Sequence, residues 1–150
     1  MRLRAAVSAQ PWKYKSVSAC APIANPVNCP WGQKAFGGYF GEEQREKWNE
    51  HDATELVKSW KGHLDVLIDV VGCLSSSSDP GLADLSVPKG THDNFYKQSQ
   101  LLSENFDRAA RAAGIKGVNV RYQPGYDHSY YTMASFSEDH IEHAAKYLLA

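Results

Sequence analysis

Long hydrophobic runs are missing from this chain of 150 residues, and so is any excess of one charge. No apolar stretch approaches the roughly 18 residues that a membrane span needs. Sixteen basic residues stand against 17 acidic ones, and the net charge is -1. The basic residues are scattered, so nothing draws the chain to nucleic acid or an anionic membrane. Cysteine is scarce, with Cys20, Cys29 and Cys73 alone and no Cys-x-x-Cys among them. An odd count without close pairs argues against a disulfide framework or a cysteine zinc site, and it makes a reducing cytosol the default location. Residues 1–7 are too short and too weakly apolar for a secretory signal. Two catalytic signatures are also absent: His-Glu-x-x-His of zinc hydrolases and Gly-x-Ser-x-Gly of serine hydrolases.

What is present is ordinary for a globular domain, with 43% hydrophobic and 22% charged residues. Residues 15–22, small and β-branched up to Pro22, predict a short buried strand, and the proline-interrupted residues 25–31 predict a loop. Gly37, Gly38 and Gly41 read as breakers. Residues 42–48 predict a helical turn or two, and residues 52–60 a helix with Asp52 as N-cap and Leu56, Val57 and Trp60 on one face. Residues 64–71 are almost continuously apolar, as in a strand covered on both faces. Residues 100–113 predict an amphipathic helix stopped by Gly114, and residues 118–122 a third strand. Residues 136–149 predict a last helix that buries Phe136, Ile141, Ala144, Ala145 and Leu148. This alternation is that of an α/β protein with a small parallel sheet flanked by helices. Residues 72–89, with four consecutive serines from Ser75 and the turn Asp79-Pro80-Gly81, are too long and too polar for an α/β connection; they predict a disordered insertion.

Active groups of parallel sheets gather beyond the carboxyl ends of the strands. Asp93 follows the strand at 64–71, and His128 follows the strand at 118–122. An acid after one strand and a histidine after the next is the order of an α/β-hydrolase triad, in which the acid orients the histidine and the histidine moves the serine proton. On spacing alone, both are equally well read as loop residues.

Longer runs narrow the choice. Residues 14–19 (Tyr-Lys-Ser-Val-Ser-Ala), 21–36 (Ala-Pro-Ile-Ala-Asn-Pro-Val-Asn-Cys-Pro-Trp-Gly-Gln-Lys-Ala-Phe), 124–131 (Pro-Gly-Tyr-Asp-His-Ser-Tyr-Tyr) and 139–148 (Asp-His-Ile-Glu-His-Ala-Ala-Lys-Tyr-Leu) closely resemble the S-formylglutathione hydrolases, also called esterase D. The resemblance implies the carboxyl-terminal part of a single α/β-hydrolase domain. It implies a cofactor-free, metal-free cytoplasmic serine thioesterase, often a homodimer, that hydrolyses S-formylglutathione to glutathione and formate. It places the catalytic acid at Asp93 in His92-Asp93-Asn94-Phe95, and the histidine at His128. Trp31 would help shape the acyl pocket.

Three departures from the family stand out. The nucleophile turn, Gly-His-Ser-Met-Gly-Gly in the family, lies upstream of the segment matched here, and Ser8 lacks the flanking glycines. Residues 71–89 interrupt a strand that in the family runs almost directly into the acid loop; joining Val70 to Gly90 restores the family form, as an unspliced in-frame intron would explain. Residues 1–13 match poorly. Two readings of function follow: a serine thioesterase represented by its acid and histidine portion, or a catalytically inactive fragment or non-catalytic partner of a full-length enzyme.

The remaining candidates have plain readings. His140 and His143 are expected on a solvated helix face, and His51, His63 and His92 in solvent. Cys29 is expected to be inert, and Tyr130 and Tyr131 either to flank the triad or to fill the core.

Overall fold

The chain was analysed as a computed structural model, which describes residues 14–71, 100–124, 126 and 128–148. The elements run β1 (Ser16–Cys20), a 3-10 turn (Pro26–Asn28), α1 (Pro30–Phe40), α2 (Arg45–Asn49), α3 (Ala53–Val57), β2 (Asp65–Val71), α4 (Gln100–Ala112), β3 (Val118–Gln123) and α5 (Tyr130–Leu148). The three strands are parallel and lie in the order β1-β2-β3. The fold is therefore α/β with helices on both faces of a parallel sheet, as the alternation of patterns predicts.

Alternation along the strands gives the two faces different chemistry. Val66, Ile68 and Val70 of β2 point to an apolar core that also holds Ala53, Val57, Phe106 and Ala110, so α3 and α4 cover this face. Phe106 is almost fully buried at its centre; its truncation to alanine would cost about 3–5 kcal/mol. The opposite face carries Cys20, Asp69 and Arg121 side by side in one rank of the sheet, because Cys20 pairs with Asp69 and Asp69 with Arg121. Helix α5 covers this second face, and it does so with polar groups.

The structure corrects several sequence expectations. Helix α1 occupies a stretch read as loop and breakers. Pro30 suits the first turn of a helix, where its missing N–H is not needed. Gly37 and Gly38 lie inside α1, and only Gly41, with φ of 91°, ends it. Gly32 is required for packing, since a Cβ there would lie 2.3 Å from the Pro26 carbonyl oxygen. Helix α5 begins at Tyr130, six residues before the expected Phe136. Its inward face is Thr132, Phe136, Asp139, His140, His143 and Tyr147, a spacing that repeats the helical turn. Ile141 and Leu148, expected in the buried stripe, are exposed. His143 is buried and His140 nearly so, which overturns the solvated reading of both. His51 is half-buried with its ring edge-on to Phe40, not in solvent, whereas His63 is exposed as expected. Val71 is a buried strand residue paired with Gln123, as the apolar run at 64–71 predicts. Residues 72–89, residues 1–13 and His92 lie outside the described residues.

Candidate active site

The carboxyl ends of β1 and β3 lead to the two candidates that can be located. After β1 the chain turns at Ala21, whose φ of 43° is uncommon for a residue with a side chain, and the Ala21 N–H donates to the Asp69 carbonyl at 2.7 Å. The loop that follows is fastened from beneath by Asp52. This fully buried carboxylate accepts from Asn25 Nδ2 at 3.1 and 3.0 Å, from the Val27 N–H at 3.0 Å and from the N–H groups of Thr54 and Glu55 at 2.8 and 3.3 Å. Asp52 is thus the N-cap of α3, as its position before the apolar run predicts. Burial pushes its carboxyl up, against the opposing pull of the donors from Val27, Asn25, Glu55 and Thr54. Asn25 Oδ1 accepts in turn from Asn28 at 2.6 Å and from Asn105 of α4 at 3.1 Å, while Ser103 Oγ donates to the Pro22 carbonyl at 2.9 Å. This polar knot fixes the approach to α1, where Trp31 stands 64% exposed in the first turn. An exposed indole at the start of a helix that follows a firmly anchored loop is open to contact with a ligand. Cys29, at the N-cap of α1, is fully buried, in keeping with the inert role expected of it.

His128 lies between β3 and α5 and is exposed. Its loop is tied to α5 by aromatic contacts: Tyr126 stacks on Tyr131 at 6.0 Å between centroids and meets Phe136 edge-on at 4.9 Å. The Arg121 guanidinium lies over Phe136 at 5.9 Å. Tyr130 and Tyr131 are both largely exposed, which removes them from the core and leaves them flanking the His128 loop. The structure locates His128 and Trp31, whereas Asp93 lies outside the described residues.

Beneath this loop is a polar network that the sequence reading did not find. Asp69, fully buried, receives Arg121 Nε on Oδ1 at 2.8 Å and Arg121 NH2 on Oδ2 at 2.6 Å, with Gln123 Nε2 also on Oδ1 at 2.8 Å. Arg121 reaches on to Asp139 of α5 at 2.5 Å. His140 Nε2 lies 2.9 Å from Asp69 Oδ2 and 3.1 Å from Cys20 Sγ. Lower on α5, Tyr147 donates to Asp65 at 2.8 Å, and His143 Nε2 approaches the Asp65 carbonyl at 3.3 Å. Burial disfavours the Asp69 carboxylate, but hydrogen bonds from Arg121 and Gln123 and the charges of Arg121 and His140 outweigh it and hold the carboxyl below its usual range. The bond to Asp69 is the main reason the Arg121 guanidinium holds its proton more tightly than usual, against the cost of its burial and with help from Asp139. A signal existed in the sequence: Asp69 interrupts an apolar strand, and a buried acid requires a partner.

Comparison with known proteins adds the remaining findings. A family model described as "Putative esterase" matches residues 3–146. S-formylglutathione hydrolase of Rattus norvegicus is 49% identical over 141 residues, covering 93% of this chain and 43% of the rat protein. S-formylglutathione hydrolase of Arabidopsis thaliana is 43% identical over 136 residues, covering 91% of this chain and 40% of the plant protein. Among solved structures, an S-formylglutathione hydrolase from Agrobacterium tumefaciens superposes with a TM-score of 0.67 at 29% identity, covering 93% of this chain and 42% of that one. The chain spans well under half the length of each relative. Among the described residues, no helix is long and apolar enough to cross a membrane.

Proposed function

Because the chain belongs to this esterase family, we propose that it carries the acid and the histidine of a serine thioesterase whose substrate is S-formylglutathione. The observation that carries the reading is the place of His128. It lies between β3 and α5, within the run 124–131 on which the resemblance to S-formylglutathione hydrolases rests. In this reading Asp93 accepts a hydrogen bond from the His128 ring and fixes its tautomer. The other ring nitrogen takes the proton of a serine hydroxyl as that oxygen attacks the formyl carbon, and returns it to the departing glutathione sulfur. Water then attacks the formyl ester, His128 again relays the proton, and formate leaves. Trp31 lines the acyl side of the pocket. No metal or cofactor takes part, and the enzyme works in the cytoplasm as a homodimer.

The serine must come from a Gly-x-Ser-x-Gly turn, which these 150 residues do not contain. The test is therefore a fusion. The part of the rat relative not covered by the match is joined to this chain, and S-formylglutathione hydrolysis is compared with that of the His128→Ala and Asp93→Asn forms. Turnover that falls by at least about a thousandfold in His128→Ala supports the reading. A folded fusion with no turnover, or turnover indifferent to both substitutions, overturns it.

The missing serine turn favours a second reading for the 150 residues by themselves, that of a non-catalytic partner of a complete enzyme. The purified chain should then hydrolyse S-formylglutathione no faster than its His128→Ala form.

A further inference from the structure

Cys20, Asp69 and His140 come from three elements, and their donor atoms all lie within 4.8 Å of one another. We propose that these three side chains form a binding site for a single zinc ion. The site is separate from the proposed thioesterase chemistry and does not depend on it.

Donor type comes first. A thiolate, an imidazole and a carboxylate are the three ligand classes that zinc takes, at about 2.3, 2.0–2.1 and 2.0–2.2 Å respectively. In a tetrahedral arrangement those bond lengths set neighbouring ligand atoms about 3.4–3.6 Å apart. The observed separations, 3.1 Å from Sγ to Nε2 and 2.9 Å from Nε2 to Oδ2, are shorter by a few tenths of an ångström. A small retreat of the His140 ring opens the triangle. The other two ligands sit on paired neighbouring strands, with their ligand atoms within 4.8 Å of each other.

One of the hydrogen bonds around Asp69 can give way to an ion. Each carboxylate oxygen accepts two partners. Oδ1 is filled by Arg121 Nε and Gln123 Nε2, and Oδ2 by Arg121 NH2 and His140. The His140 contact is the one made by a side chain that also lies against Cys20 Sγ. An ion there displaces a hydrogen bond that His140 exchanges for a coordinate bond, with its ring proton moving to Nδ1. Arg121 and Gln123 stay in place and orient the carboxylate, as outer partners do in zinc sites.

Charge favours the exchange. Asp69, Arg121 and Asp139 together carry one net negative charge. Zinc brings two positive charges and releases one proton from Cys20, so the cluster becomes neutral. Half-buried Cys20 and a His140 side chain 12% exposed give an ion a route in, with water completing the fourth position.

Cobalt(II) substitution tests the proposal, because a tetrahedral thiolate site gives intense visible bands and a sulfur-to-cobalt charge-transfer band. The metal-free full chain should bind one equivalent and develop both. Cys20→Ser should abolish the charge-transfer band, whereas Cys29→Ser and Cys73→Ser should retain it. His140→Gln should weaken zinc binding by more than the about 10–100-fold that follows loss of an outer-shell partner. X-ray absorption of the zinc-loaded unsubstituted chain, which needs no variant to fold, should find one sulfur at about 2.3 Å and the remaining ligands nitrogen or oxygen. No charge-transfer band in the unsubstituted chain, a band that survives Cys20→Ser, or a zinc shell with no sulfur or with more than one overturns the site.

Discussion

Arg121 grips Asp69 by both carboxylate oxygens, at 2.8 and 2.6 Å, across the boundary between β3 and β2. The fork matches the planar guanidinium to the planar carboxylate. It also compensates a negative charge that has no access to water. Asp139, on the far side of Arg121, belongs to α5, so one arginine links both strands to the helix that follows His128.

Removing one partner of a buried pair leaves the other charged and uncompensated. Arg121→Met should therefore destabilise the chain by about 3 kcal/mol or more in urea unfolding. Arg121→Lys should recover only part of that, since an ammonium cannot form the fork. Asp139→Ala, which removes a partner whose side chain is 46% exposed, should cost below about 1 kcal/mol. Equal losses for Arg121→Met and Asp139→Ala would contradict this ranking.

The same carboxyl predicts a pH dependence. Asp69 is held below its ordinary value in the folded chain. The unfolded chain therefore takes up that proton first as the solution is acidified. Its stabilisation is complete above the unfolded value of about 3.9 and is lost as pH falls through the lower folded value. In urea midpoints measured from pH 7 downward, Asp69→Asn should be clearly less stable than the unsubstituted chain at neutral pH. The difference should shrink below about pH 4. A constant difference across that range would remove Asp69 from the acid limb.

Asp52 gives a prediction on the opposite side of the sheet. Asp52→Ala removes a helix cap and strips partners from buried Asn25 and from the Val27 N–H. The cap alone is worth about 1 kcal/mol and each stranded buried donor about 1–3. A loss of at least about 2 kcal/mol is expected, together with increased hydrogen exchange at Val27 and Thr54. Unchanged exchange at both amides would show that Asp52 does not hold the loop.

Two glycines of α1 should respond in opposite directions to alanine. At Gly38 an added Cβ meets open space, and Gly38→Ala should stabilise by about 0.5–1 kcal/mol through helix propensity. At Gly32 the same methyl meets the Pro26 backbone, and Gly32→Ala should destabilise by about 1–3 kcal/mol. Thermal unfolding of the two variants side by side is sufficient to decide.

Whatever depends on one-dimensional pattern was legible in the sequence. The apolar run ending at Val71 gave β2, the spacing of Leu102, Phe106 and Ala110 gave α4, and Asp52 before an apolar stretch gave the cap. The polar face of α5 was misread because the rule that helices bury their apolar stripe fails where the sheet beneath is itself charged. Asp65, Asp69 and Arg121 lie 52 or more residues from one another or from their α5 partners in most of these contacts, so only the folded chain brings them to His140 and Tyr147. Helix α1 was hidden by the prolines at its start and by Gly37 and Gly38, which lie inside the helix and make no turn. His128 and Trp31 are proposed as site residues from shared runs of sequence alone, since an exposed side chain at a loop or a helix start leaves no periodic trace.

The unequal chemistry of the two sheet faces has a consequence for alignment. Oil-like contacts allow a helix to slide with little penalty, as many registers bury similar area. Contacts such as Tyr147 on Asp65, His140 on Asp69 and Asp139 on Arg121 admit one setting, because a shift of one turn breaks all three together and takes a partner from buried Asp69. Helix α5 therefore behaves as a key cut to the sheet, and the histidine just before its first turn inherits that indexing.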